Sequence, residues 1–91
     1  MYELMTIIKI DLGEEKAKEV SKNIQELIAS LKGKVTKTDF WGKRKLAYEV
    51  VHNTEGYYDV ITFELEAANA SKLKAKLNLM QEVIRYLVTA I

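Results

Sequence analysis

The chain of 91 residues reads as an α+β fold: a ferredoxin-like βαββαβ split, with a four-stranded antiparallel sheet and two helices on one face. Three observations predict it. Four segments rich in β-branched and aromatic residues are interspersed with two segments whose apolar residues recur every three or four positions. Each helical segment carries a single apolar stripe, so both helices must cover the same face of the sheet. Right-handed crossovers then give strand order 4-1-3-2, with the second strand at one edge. A chain of this length supports one modest core, so residues 1–91 are expected to form a single domain.

Residues 2–10 form the first strand, with apolar side chains on both parities, as suits a central position. Asp11 to Gly13 interrupts it. From Glu14 to Leu31, Ala17, Val20, Ile24, Leu27, Ile28 and Leu31 make one helical face, and Gly33 is placed as the positive-φ cap that ends it. Residues 34–52 read as a long second strand. Its inward parity changes between Val35 and the set Leu46, Tyr48 and Val50, so one extra residue must be absorbed, and Gly42 is the natural bulge. Residues 52–56 read as a hairpin connection turning on Asn53 and Gly56. The third strand follows from Tyr57, with Ile61, Phe63 and Leu65 inward. Asn69 is expected to cap a second helix that buries Ala70, Leu73 and Leu77. Residues 83–91 complete the sheet.

Net charge is +1, with one histidine and no cysteine. The absence of cysteine excludes disulfides and thiolate metal sites and fits a reducing compartment. No apolar run approaches a membrane span, and Glu3 stands where a secretory leader would carry cations, so a cytoplasmic protein without a membrane role is expected. Catalysis has little to work with. His52 lies in the expected hairpin, no carboxylates follow calcium-loop spacing, and no phosphate-binding glycine motif occurs. The first loop, "KIDLGEE", holds three acids and no arginine, which argues against acyl-phosphate hydrolysis. We therefore expect no enzyme, no cofactor, no metal and no small-molecule substrate.

Charge is uneven along the chain. Lys32 to Lys45 contains six cations and one acid. The stretch "WGKRKLAYEV" concentrates Lys43, Arg44 and Lys45 just before an apolar strand segment. Cations on an edge strand are an ordinary device against edge-to-edge pairing, and Trp41 could simply cover the end of the core. The functional reading has Lys43, Arg44 and Lys45 meeting phosphates while Trp41 or Tyr48 lends a flat surface. Base stacking of the RNA-recognition-motif type is rejected on the third strand. Its second stacking position is Asp59, and Tyr57 shares the inward parity of Ile61 and Phe63. The helix-free face should present Met5, Ile7, Tyr58, Val60 and Leu87, with Arg85, as a contiguous patch for a protein partner. A ferredoxin-like homo-oligomer that binds a small ligand or regulates an enzyme is the alternative reading.

Several blocks, in order, resemble the bacterial small-subunit ribosomal protein S6 family: "MYELMTII" at the start, "GKVTKTDFWGKRKLAYEV", "EGYYDVITFEL" and "EVIRYLV". The Trp-Gly-Lys-Arg-Lys-Leu-Ala-Tyr block is the most specific, and the resemblance spans essentially the whole chain. It implies a non-enzymatic protein that binds the central domain of small-subunit ribosomal RNA together with ribosomal protein S18. Arg44 and Lys45 match the family's cations, Lys43 falls at a more variable position, and Tyr2 and Arg85 match positions near the RNA or partner surface. The chain departs from the family pattern in having only Met1 before the opening Tyr-Glu. It also has Glu49 where a proline is common, and it ends at Ile91 without the charged tail of many relatives.

Overall fold

The structure, a computed structural model, describes residues 1–50 and 53–91, and side chains outside 46–54. Chain order is β1 (Tyr2–Lys9), a 3-10 turn (Ile10–Leu12), α1 (Glu14–Ser30), β2 (Lys34–Val50), β3 (Asn53–Glu64), α2 (Ala67–Asn78) and β4 (Val83–Ala90). The four strands form one sheet in the order β2-β3-β1-β4. This is the expected 4-1-3-2 arrangement, antiparallel at every junction. β1 and β3 are therefore interior, and β2 and β4 are the two edges.

Alternation along the strands sorts side chains between the two faces. Leu4, Thr6 and Ile8 of β1 and Tyr57, Asp59, Ile61 and Phe63 of β3 are buried under the helices. Against them α1 sets Ala17, Val20, Ile24 and Ile28, and α2 sets Leu73 and Leu77, in one cluster. Full burial of each large aliphatic side chain contributes about 1.5–3 kcal/mol, so this layer carries most of the driving force for folding. The outward set, Met5 and Ile7 on β1 with Tyr58 and Val60 on β3, lies on the face without helices.

Four local expectations are corrected. Gly33 does not carry the positive φ at the end of α1; Lys32 does, at 66°. Gly33 is needed for space, since a Cβ there would sit 2.7 Å from Ile28 Cγ2 and 2.9 Å from the Glu64 carbonyl oxygen. Asn69 does not cap α2, which starts at Ala67 after Glu66. Its Nδ2 instead donates to the Leu31 carbonyl at 2.9 Å, satisfying the end of α1. Gly56 is not a turn residue but a strand residue, paired with Lys9 and Arg44. A Cβ at Gly56 would meet Ile7 Cγ2 at 2.5 Å, so its lack of a side chain makes room for Ile7 on the open face. Finally, β2 slips register twice before Lys43, at Val35/Lys37 and at Phe40/Gly42. The first slip leaves Thr36 free to donate its hydroxyl to the Thr62 carbonyl at 3.1 Å. The second is the expected bulge at Gly42, whose φ of 82° suits glycine. The expected hairpin residue His52 and the facing of Leu46, Tyr48 and Val50 lie outside the described residues.

Candidate functional site

The Gly42 bulge decides which side chains gather on the open face. Before it, Asp39 pairs with Val60 and so points away from the helices, while Phe40 pairs with Asp59 and points towards them. Phe40 stacks on the buried Tyr57 with ring centroids 6.1 Å apart, and Lys18 of α1 lies over its ring. Trp41 goes the other way. Its ring lies parallel to Tyr58, 6.2 Å centroid to centroid and 1° between planes. Its Nε1 donates to Asp39 Oδ2 at 2.9 Å. The indole is thus held from two sides while remaining 42% exposed. Trp41 and Asp39 are neighbours for a simple reason: residues two apart on a strand share a face.

Beyond the bulge the cations divide between the two faces. Arg44 pairs with Gly56 and falls on the open face with Trp41. Lys43 pairs with Tyr57 and Lys45 with Glu55, which places both on the opposite side. Lys43 Nζ is 3.3 Å from Glu55 Oε2, so part of its charge is already answered within the fold. No other ion pair involving this cluster is found among the described residues. The edge strand therefore offers cations on both of its faces, with one aromatic ring on the open side.

The remaining candidates are distributed across the sheet. Arg85, Ile7, Tyr58 and Gly42 form one row over the open face, from the β4 edge to the β2 edge. Three inter-strand spacings separate its ends, about 14 Å. Arg85 thus shares a face with Trp41 and Arg44, at the other edge of the sheet. Tyr2 is at the opposite end of the sheet, half-buried on the helix side, its ring 5.7 Å from that of Phe63. The structure does not bring Tyr2 to the cation cluster. Met5, Ile7, Tyr58 and Leu87 line a shallow hollow on the open face beside Arg85. Val60 lies next to it but is already almost covered, whereas Leu87 is 62% exposed. The patch is thus a shallow apolar depression with one prominent side chain.

Two residues that matter here were not singled out from sequence: Asp39, which orients Trp41, and Glu55, which holds Lys43. Spacing could have found Asp39, two positions before Trp41. Glu55 becomes visible only once strand register is known. The helix side of the same region holds a different surprise. Asp59 is buried, opposite Thr6 of β1 and beneath Ser21 of α1. Neither of its carboxylate oxygens, nor the Thr6 hydroxyl, has a well-formed hydrogen bond. Burial raises the Asp59 pKa above its ordinary value, and the neighbouring Ser21 hydroxyl counters this only in part. Among the described residues no group of three acidic, histidine or cysteine side chains could hold a metal ion. No helix there is long and apolar enough to cross a membrane.

Comparison with known proteins adds three findings. Residues 1–90 match the family described as ribosomal protein S6. The chain is 41% identical over 86 residues to "Small ribosomal subunit protein bS6" of Geotalea daltonii, covering 94% of this chain and 67% of that one. It is 40% identical over 88 residues to the protein of the same name in Dictyoglomus turgidum, covering 97% and 91%. Among solved structures, the 30S ribosomal protein S6 from Thermotoga maritima superposes with a TM-score of 0.92 at 32% identity, covering 97% of this chain and 83% of that one.

Proposed function

The chain belongs to the ribosomal protein S6 family and is a structural protein of the small ribosomal subunit; from that premise we propose that its β2 edge binds the central domain of small-subunit ribosomal RNA, in company with ribosomal protein S18. The observation that carries this reading is the division of cations at Gly42. Arg44 beside Trp41 on one face and Lys45 on the other let a single strand edge reach phosphates from two directions. Such contacts fix position on RNA without reading sequence. In this reading Arg44 and Lys45 carry the phosphate contacts, and Lys43 contributes less because Glu55 holds it. Arg85 is a second, separate anchor at the other end of the open-face row. Tyr2, packed on Phe63, supports the sheet end rather than this interface.

The shallow hollow of Met5, Ile7, Tyr58 and Leu87, with Val60 beside it, is the surface we assign to S18. A chain of net charge +1 gains little from long-range attraction to RNA, so arrival with a more basic protein makes physical sense. The experiment is reconstitution followed by sedimentation. Wild-type protein should travel with small subunits through a high-salt wash, and the Arg44→Ala, Lys45→Ala double variant should be depleted from them. Equal retention of both proteins would remove the cluster from the interface.

A further inference from the structure

Phosphate contacts explain Arg44 and Lys45 but do not say what the flat surface of Trp41 meets, and its surroundings are too specific for a residue that merely covers the core. Among the described residues, of the large apolar side chains that are strongly exposed (Met1, Trp41, Leu79, Leu87 and Ile91), it is the one aromatic. Its single polar atom is satisfied by Asp39, so the accessible part of the ring has only its π surface to offer. The parallel Tyr58 ring fixes the plane in which that surface stands. Next to it, Gly42 leaves open space: a Cβ there would find nothing within 4 Å. Arg44 follows on the same face, three residues along the strand and about 10 Å away at strand spacing. An oriented ring, an open approach and a cation one step beyond it match the chemistry of a nucleotide, which offers a flat base and a phosphate.

We propose that Trp41 is a stacking platform for one unpaired RNA base, whose neighbouring phosphate is held by Arg44. The proposal rests on the RNA-binding reading above and adds what that reading lacks, a preference for single-stranded over duplex RNA. A base paired inside a helix cannot present its face to the indole. A protein guanidinium could also stack on Trp41, but it would approach beside the like charge of Arg44, so a base is the better occupant.

The chain has one tryptophan, so its fluorescence reports on this position alone. The whole protein is titrated at low salt with a short oligouridylate, whose bases are largely unstacked, and separately with an RNA duplex. Binding is followed by the anisotropy of the labelled RNA and stacking by quenching of Trp41. The single strand should bind and quench; the duplex should bind through charge and quench far less. Trp41→Leu should weaken single-strand binding roughly 5- to 150-fold, the range of base–aromatic stacking, with Trp41→Phe recovering most of the affinity. An unchanged affinity for Trp41→Leu, with an intact circular dichroism spectrum, would overturn the platform and leave the phosphate reading standing. Binding without quenching would do the same. Failure of the wild type to bind either RNA would overturn both. Stronger quenching by an arginine-rich peptide than by the oligonucleotide would assign the platform to a protein partner and reject the base.

Discussion

The two edges of the sheet are built on opposite plans. β2 is long, slips register twice before Lys43 and carries Lys34, Lys37, Lys43, Arg44 and Lys45. β4 is eight residues long, "VIRYLVTA", with Arg85 as its one charge. Both face solvent along one side, and both expose backbone groups that could pair with another chain. If the cations of β2 served only to prevent such pairing, β4 would need them as much. It does without. The charge of β2 exceeds what edge protection requires, and that excess sits around Trp41, where the proposed interface lies.

The largest stability effect that sharpens this comparison comes from beneath the sheet. Asp59 occupies a helix-side row with Phe40 of β2, Thr6 of β1 and Tyr86 of β4. It pairs directly with β2 and is one strand removed from β4. Its folded pKa lies above the ordinary 3.8. The folded chain therefore holds this proton more tightly than the unfolded chain does. Its contribution to stability is thus greatest below about pH 4, falls as pH rises through the raised folded value, and is level beyond. Asp59→Asn should remove that decline and raise stability at neutral pH by about 1–2 kcal/mol, since a neutral amide costs less to bury than a carboxylate. Urea titrations of both proteins across acid and neutral pH test the sign. Hydrogen exchange should show the gain in β2 and β3 more than in β4; an equal gain at both edges would weaken the contrast.

Gly42 is the next point of leverage. At φ 82° with no neighbour near its missing Cβ, alanine is opposed by backbone strain alone. Gly42→Ala should cost about 1–2 kcal/mol, the price of a left-handed conformation for an L-residue. It should also lower RNA affinity by turning Arg44 away from Trp41. A loss of stability with unchanged affinity would show that the bulge aims nothing. Smaller still is Lys43→Ala. Its partner Glu55 is partly exposed, and such pairs contribute about 0–1 kcal/mol. It should affect RNA binding less than Arg44→Ala does. On the other edge, Leu87→Lys should leave stability within about 0.5 kcal/mol. It should also reduce self-association at high concentration in light scattering, by adding a second cation to β4 beside Arg85.

Element order, strand order, both helix faces and the Gly42 bulge were legible in the sequence because each rests on local periodicity or a single permissive residue. What escaped depends on contacts between distant segments. Gly33 looked like a helix cap, but its role is set by Ile28 and the Glu64 carbonyl, which only the folded chain brings together. Asn69 looked like the start of α2 and instead closes the end of α1, 38 residues away. The slip at Thr36 is matched by a side-chain hydrogen bond to β3, which only the paired strands bring within reach. In the candidate site, the cations and Trp41 were readable as residue types. Their division between two faces was not, because it depends on the sum of two slips and a one-residue error reverses every side chain.

The central claim is that the β2 edge, and not charge in general, meets RNA phosphates. The direct test is the salt dependence of RNA affinity for wild type, Arg44→Ala plus Lys45→Ala, and Lys72→Ala plus Lys76→Ala on α2. If the rule for duplex nucleic acid carries over, each lost phosphate contact lowers the slope of log affinity against log salt by about 0.9. The β2 pair should therefore reduce the slope by roughly 1.8, while the α2 pair leaves it nearly unchanged. Equal slopes for the two double variants would contradict the account.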